Sequence, residues 1–228
     1  AGDEGTVRDA AGPYPVFDCL NWAGVADDVA GLGHDLVSLV LVSDAFAGSA
    51  RACLEGARAD VLRPYKEHYV VDLDRPRTPF GRASRRRTAL RASAGLDFAA
   101  VPGEQADASE WVALYAHLVA RHQVAGTADL PAEALAAQLR LPGAMFLTAR
   151  SGSALLAAQV CLRRGDVVYS HLASSSPEGY RRRAMHALDL FALEHFSSSA
   201  AWFDLGGGRG GDPGTDGLAA YKASWASS

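Results

Sequence analysis

The sequence predicts an α+β fold in which a mixed, mostly antiparallel sheet is flanked by helices. Three observations support this prediction. The second half begins with two helical segments, continues with three strand-like segments separated by short turns, and ends with a helix, a strand and a final helix. Three antiparallel strands followed by a helix that crosses to one more strand make a mixed sheet.

After a short strand candidate at residues 15–22 (PVFDCLNW), the first hundred residues contain two longer strand candidates and two helix candidates. Residues 35–44 are a nearly continuous run of Leu and Val, which predicts a strand buried on both faces. The Ala-rich residues 46–57 are compatible with a helix. Residues 64–73 alternate and are rich in Tyr and Val, which predicts a second strand. A short helix is expected between Thr78 and Gly95, since prolines precede it and the glycine ends it.

The clearest helical signal follows Asp107. Asp107 and Glu110 form a pattern like a capping box, and Pro131 predicts the start of a second helix. The first of these two helices carries an apolar and aromatic face at helical spacing: Trp111, Leu114, Tyr115, Leu118, Val119 and His122. The rest of the chain predicts strands at 144–150, 154–163, 166–173 and 200–205, and helices at 180–196 and 217–225.

Composition excludes several classes of protein. The formal net charge is −4, whereas a protein that coats nucleic acid usually has a broad basic excess, so any nucleic-acid contact must be local. Cys19, Cys53 and Cys161 are odd in number and widely spaced, which favours reduced thiols over disulfides or zinc. We expect no metal, no transmembrane helix and no signal peptide, and therefore a cytoplasmic protein.

A glycine-rich loop follows the last predicted strand, and a short helix with a single lysine follows the loop. Lys222 is one of only two lysines in the chain. Glycines let a backbone approach a ligand closely, so the loop from Gly206 to Gly214 either cradles phosphate with its amides or serves as a flexible link.

These residues resemble the acyltransferase superfamily with the GNAT fold, and within it the Fem-type branch, whose members use aminoacyl-tRNA donors. The resemblance rests on DLGGG at the end of the last strand and on the closing GLAAYK, and it extends upstream to RRRTALRA and EWVALYAHLVARH. It implies a reduced N-terminal GNAT-like half at 13–100 and a complete C-terminal GNAT-like half at 101–228, whereas the polar, acidic start predicts a disordered tail at 1–12. Tyr221 stands where the family usually has Phe.

The resemblance implies acyl transfer to an amine, in which negative charge grows on the carbonyl oxygen. A cation or N–H donors must stand about 3 Å from that oxygen. In Fem-type enzymes an aromatic–Lys pair has this role, which implies Tyr221 and Lys222 here. His171 is a third catalytic candidate as a proton acceptor, or else a histidine that is only hydrogen-bonded in place.

Further candidates would bind substrate. Asp204 either orients a substrate amine or caps the loop, and Tyr65, Lys66 and His68 near the earlier strand end are candidates for binding the acceptor. The substrate-binding candidates are Tyr65, Lys66, Tyr169, Asp204, Gly206, Gly207 and Arg209. The candidates for tRNA or phosphate are Arg82, Arg85, Arg86, Arg87, Arg181 and Arg182, each of which could instead lie on a solvated helix face.

The function expected from this resemblance is an aminoacyltransferase that moves an amino acid from aminoacyl-tRNA to an amine of a peptide-like acceptor, as in cell-wall or peptide-antibiotic synthesis. No cofactor beyond the charged tRNA is expected. The alternative is an acyl-CoA-dependent N-acetyltransferase, but SSSPEG retains little of the usual signature Q/R-x-x-G-x-G/A. A catalytically silent binding module of the same fold is a third hypothesis.

Overall fold

The structure is a computed structural model, which describes residues 8–12, 19, 21–32, 36–57, 59–75, 80–126, 129–208 and 216–227. Its contacts divide the chain into two compact units, Ala1–Tyr65 and Lys66–Ser228. Residues 66–100, which were predicted to belong to the first half, therefore belong by their contacts to the second unit. The interpretation of the earlier residues as a reduced GNAT-like copy stays a prediction.

The first unit has a two-stranded parallel sheet, in which β1 (Arg8–Ala11) pairs with β2 (Leu36–Val40). Its described helices are η1 (Trp22–Gly24), α1 (Val25–Ala30) and α2 (Ala50–Gly56). Two predictions are wrong here. Part of the expected tail is strand β1, and residues 1–7 lie outside the described residues. Strand β2 is not buried on both faces, because Val37 and Val40 are 66% and 61% exposed.

The second unit carries a six-stranded sheet. In chain order its strands are β3 (His68–Asp72), β4 (Asp97–Pro102), β5 (Ala144–Ser151), β6 (Ala154–Arg164), β7 (Val167–Ser175) and β8 (Trp202–Gly207). The strand order is β3-β8-β7-β6-β5-β4, and all neighbours are antiparallel except β7 and β8. This arrangement confirms the predicted mixed, mostly antiparallel sheet.

Helices cover both faces of this sheet. The described helices are α3 (Ala83–Ala92), α4 (Ala108–His122), α5 (Ala132–Leu139), α6 (Pro177–Arg182), α7 (Ala184–Phe196) and α8 (Gly217–Ala223), with a 3-10 turn η2 (Gly103–Gln105). On one face Leu188 of α7 packs with Val168 and Phe203 of the sheet. On the other face Trp111 of α4 packs with Phe146. Burial of these apolar faces is the main stabilising contribution.

The prediction of a single helix at 180–196 is wrong, because this stretch is divided between α6 and α7. Arg183, between the two helices, has a left-handed φ of 57°. The first helix begins after Ser176, whose hydroxyl accepts from the Gly179 amide at 3.0 Å. Gly179 lies against β6, where an added Cβ would be 1.9 Å from the Leu156 carbonyl oxygen. This close packing fixes α6 on the sheet, and the left-handed residue then redirects the chain into α7.

Two further features concern the class of protein. No helix among the described residues has both the length and the apolar character that a membrane span requires. None of Cys19, Cys53 and Cys161 forms a disulfide.

Candidate active site

The sheet opens where its two parallel strands stop pairing. Among the described residues, the pairing of β7 with β8 ends at Tyr169 and Asp204, although β7 continues to Ser175 and β8 to Gly207. Strand β7 also has an irregularity here, because His171 falls between the residues that pair with Cys161 and Val160 of β6. Bulges of this kind often lie beside active sites. We therefore assign the candidate cleft of the second unit to the space between these unpaired strand ends.

Lys222 lies at the end of β8 that borders this opening. Its Nζ donates a hydrogen bond to the carbonyl oxygen of Gly207 at 2.7 Å. Burial lowers the pKa of this ammonium to about 8, although the carboxylates of Asp204 and Asp189 oppose the change. A partly buried cation beside a strand end can stabilise negative charge on a substrate oxygen.

The glycines of DLGGG make room for Lys222 and α8. Gly206 has a φ of +76°, and an added Cβ would stand 3.3 Å from the Lys222 Nζ. An added Cβ on Gly208 would meet Oδ2 of Asp216 at 2.4 Å. Asp216 in turn caps α8 by accepting hydrogen bonds from its first amides. The run of glycines thus serves close packing of strand end and helix, while Arg209 and the rest of the loop lie outside the described residues.

Tyr221 points away from Lys222 into a buried polar cluster. Its hydroxyl donates to Oδ2 of Asp189 on α7. Burial raises the pKa of Asp189 to about 7 and holds the pKa of Tyr221 well above its usual value. The guanidinium of Arg85 lies over the Tyr221 ring at 4.6 Å, and the ring of His186 meets it edge-on. These contacts fix the residue that precedes Lys222, and so the position of α8.

Asp204 both caps the glycine turn and holds a histidine. Its Oδ1 accepts from the Gly206 amide at 2.7 Å, and its Oδ2 lies 2.8 Å from Nδ1 of His68 on β3. Asp204 is only 2% exposed. The capping role foreseen from the sequence is therefore present, together with a histidine partner.

The sequence model of the acetyltransferase (GNAT) domain family matches residues 81–223, more than half of the chain. The chain belongs to this family. Solved structures with the same fold include FemX, with 13% identity and a TM-score of 0.56 over 73% of this chain and 59% of that one. L-PGS from Bacillus licheniformis has 18% identity and a TM-score of 0.53 over 70% of this chain and 56% of that one. No curated protein matches the chain in sequence.

A protein from Bacteroides thetaiotaomicron gives a TM-score of 0.57 at 14% identity, over 78% of this chain and 62% of that one. At these identities the likeness shows the fold alone. The chain spans about three-fifths of the length of these three structures. The GNAT domain identified here includes the cleft, Tyr221 and Lys222, whereas His68 precedes the matched residues.

Within the GNAT domain, His171 is placed against helix α5. Its Nε2 lies 3.0 Å from Oε1 of Gln138, and burial lowers its pKa to about 4. A general base works best when its pKa is near the operating pH, so this imidazole is poorly matched to that role at neutral pH. Tyr169 pairs with Asp204 at the last paired position of β7 and β8, and its substrate-binding role stays a prediction.

Of the three acceptor candidates near the earlier strand end, Tyr65 falls in the first unit and Lys66 and His68 fall in the second. Tyr65 is the last residue of the first unit and is 63% exposed. Lys66 opens the second unit, and its Nζ donates to the Gly208 carbonyl oxygen at 3.5 Å. This bond is long, but it places the second lysine of the chain beside the same glycine turn as Lys222.

The structure separates the arginine candidates into two groups. Arg85 is bound inside the GNAT domain, where its Nε donates to Oγ of Ser224 at 2.6 Å and its guanidinium contacts His186. Arg182 donates to the carbonyl oxygens of Ala94 and Gly95 after α3. Arg181 is ion-paired with Glu178. The phosphate role foreseen for Arg85 and Arg182 therefore conflicts with their internal bonds.

The remaining arginines of α3 stay accessible. Arg82, Arg87 and Arg91 are exposed and Arg86 is half-buried. The backbone amide of Arg82 donates to the Ser224 carbonyl oxygen at 2.8 Å, which links the start of α3 to the end of α8. The exposed part of this cluster is thus carried by a helix that is itself tied to the Lys222 helix.

The sequence did not single out Asp189 or His186, and it indicated His68 only as a candidate for binding the acceptor. Asp189 and His186 occur within a helix whose pattern indicates packing, and no motif distinguishes them. A buried Asp in an apolar helix is the one signal that could have found Asp189, because unpaired carboxylates are rarely buried.

Proposed function

We propose that the protein is an aminoacyltransferase, which moves an amino acid from aminoacyl-tRNA to an amine of a peptide-like acceptor and forms an amide bond. The acceptor would be of the cell-wall or peptide-antibiotic type. The observation that carries this proposal is the partly buried ammonium of Lys222, held at the Gly207 carbonyl where β7 and β8 have stopped pairing.

Acyl transfer from an ester to an amine requires stabilisation of the oxyanion that develops in the transition state. The acceptor amine attacks the ester carbonyl of the donor, and negative charge grows on the carbonyl oxygen. The Lys222 ammonium is a cation at the cleft that could stabilise this charge, and loss of one such donor typically costs about 10²–10³-fold in kcat. The buried bond between Tyr221 and Asp189 would hold the helix so that the ammonium needs little rearrangement.

The turn between β7 and α6 supports a tRNA donor over CoA. CoA-dependent relatives bind pyrophosphate on free amides at this turn. Here the Gly179 amide already donates to the Ser176 hydroxyl, and Arg181 is engaged by Glu178. Arg182, the other nearby cation foreseen for phosphate, donates to the carbonyls after α3.

The exposed arginines of α3 would bind the donor's phosphates. Arg82, Arg87 and Arg91 are exposed on one helix of a chain whose formal net charge is −4. Such a local cluster suits one limb of a tRNA, since guanidinium groups bind phosphates in bidentate fashion. The fold shared with FemX and L-PGS is consistent with this donor.

The alternative is an acyl-CoA-dependent N-acetyltransferase, which the description of the matching family favours. A cavity of about 330 Å³ also lies at the β7–α6 turn and is lined by Ser175, Pro177, Tyr180 and Arg121, among others. A cavity there could hold part of an acyl-CoA.

A donor screen separates the two. The full chain is incubated with a panel of peptide amines and with either mixed aminoacyl-tRNAs or acetyl-CoA, with and without RNase, and products are identified by mass. Aminoacyl products that disappear with RNase are the expected result. Acetylated products formed from acetyl-CoA and insensitive to RNase would replace the proposal with the alternative.

A further inference from the structure

His68 stands beside the same glycine turn that receives Lys222. In the pairing of β3 with β8, His68 lies opposite Gly207, whose carbonyl oxygen accepts from the Lys222 ammonium. The register shifts between His68 and Val70, because β8 has one more residue than β3 over this stretch. Gly206, with its positive φ, lies in that extra length. His68 and the Lys222 ammonium are thus both associated with Gly207, the first by strand pairing and the second by a hydrogen bond.

The hydrogen bonds around Asp204 assign the tautomer of His68. Carboxylate oxygens accept hydrogen bonds, and Asp204 already accepts from the Gly206 amide through Oδ1. Its Oδ2 lies 2.8 Å from Nδ1 of His68, so that nitrogen carries the proton. Nε2 is then left with its lone pair. The His68 side chain is 18% exposed, which leaves part of the imidazole accessible from outside.

We infer that His68 is the general base of the proposed acyl transfer and that Asp204 is the residue that positions it; this inference rests on the proposed function. As the acceptor amine attacks the ester carbonyl, the new C–N bond forms and Nε2 of His68 takes a proton from that nitrogen. The tetrahedral intermediate then collapses, the C–O bond to the ribose breaks, and the imidazolium returns the proton to the departing ribose oxygen. Asp204 stabilises the imidazolium between these steps.

Other imidazoles near the cleft are engaged differently. Nε2 of His171 lies against Gln138, and Nε2 of His186 contacts the Arg85 guanidinium. The charged residues near His68 include Asp204, whose Oδ2 lies 2.8 Å from Nδ1, the chain neighbours Lys66 and Glu67, and Lys222, which is bonded to the residue opposite His68. A pH profile must therefore be compared between variants rather than assigned from wild type alone.

The matched variants are His68→Asn and Asp204→Asn. Asparagine at 68 can still donate to Asp204 from a nitrogen near the position of Nδ1, but it has no group at Nε2. If His68 is the base, His68→Asn lowers kcat/KM by about 10²-fold or more and removes the acidic limb of the pH profile. Free imidazole should restore part of the rate of His68→Ala. Thermal melts of each variant show that it remains folded.

The outcomes separate this inference from the proposed function. If wild type turns over and His68→Asn retains its rate within about threefold with the acidic limb intact, His68 is structural and the inference is wrong. If wild type transfers nothing from any donor, the proposed function fails and the base assignment fails with it. The ¹⁵N spectrum of labelled protein gives a second readout, because an Nε2–H tautomer at neutral pH would also overturn the assignment.

Discussion

The hydroxyl of Tyr221 donates a hydrogen bond to the carboxyl of Asp189, although the two residues lie 32 positions apart and on different helices. Asp189 is 3% exposed. A buried polar pair of this kind stabilises little by itself, but loss of one partner leaves the other unsatisfied. The pair thus ties the Lys222 helix to the core.

Tyr221→Phe is expected to lower the free energy of unfolding by about 1–3 kcal/mol, because Asp189 loses its donor while it stays buried. Asp189→Leu in the same background should recover part of that loss, since an apolar side chain needs no donor. A double-mutant cycle measured by urea unfolding gives the coupling. Strictly additive effects of the two substitutions would show that the pair is not coupled.

The raised pKa of Asp189 predicts a pH dependence of stability. The folded carboxyl keeps its proton until about pH 7, whereas the unfolded one loses it near its ordinary value of 3.8. The folded state therefore binds more protons in this window, and stability falls as the pH rises from about 4 to about 7.

Comparison with Asp189→Asn isolates this effect, because that side chain does not titrate. Burial lowers the pKa of His171 and His186 to about 4, which changes stability in the opposite direction, but both variants contain them. The free energy of unfolding of wild type minus that of Asp189→Asn should decrease as the pH rises to about 7, and should then stay constant. A difference that does not vary with pH would contradict the raised pKa.

The lowered pKa of Lys222 can be measured directly. The chain has two lysines, so reductive methylation with ¹³C gives two side-chain resonances, and Lys222→Met identifies one of them. We expect that resonance to titrate near pH 8 because burial disfavours the ammonium. The value of kcat/KM should fall above the same pH as the cation is lost. Titration near the ordinary value of 10.5 would place the ammonium in solvent.

Gly206→Ala tests the fit between the glycine turn and the ammonium. The substitution introduces a Cβ 3.3 Å from the Lys222 Nζ at a φ of +76°. Gly152→Ala is the matched control, because Gly152 also has a positive φ of +57° but an added Cβ there meets nothing within 4 Å. Both should lose about 1–2 kcal/mol of stability from the backbone strain. The Gly206 variant alone should lose activity, by about tenfold or more. Equal activity of the two variants would contradict the argument.

Arg87→Ala and Arg182→Ala separate tRNA binding from helix packing. Arg87 is exposed on α3, so its loss should weaken aminoacyl-tRNA binding and reduce the salt dependence of log Kd by about 1. Arg182 donates to the carbonyls of Ala94 and Gly95, so its loss should lower the melting temperature and leave the salt dependence unchanged. Filter binding across a salt series measures the salt dependence of aminoacyl-tRNA binding, and thermal melts measure the melting temperature. A salt dependence that changes only in Arg182→Ala would reverse the assignment.

The sequence alone determined the second unit to a large extent. Alternation of apolar residues and the two short turns predicted strands β5 to β7, and helical spacing after Asp107 predicted α4. These signals are local, since each depends on residues within one or two turns of an element. The same local reasoning was wrong at β2, because burial of a strand depends on partners that the strand itself does not encode.

Lys222 and its glycine run could be singled out from the sequence, because both belong to one short stretch of chain. Only the tertiary structure decided which groups surround them. Asp189 and His68 reach the Lys222 helix and its neighbouring turn from elements far apart in the chain, through pairing register and helix packing. The pKa of Lys222 follows from that assembly, because burial and the charges of Asp204 and Asp189 exist only once the sheet and helices have closed around it. The sequence thus identifies the reactive side chain, whereas the electrostatic environment of that side chain depends on how the fold packs around it.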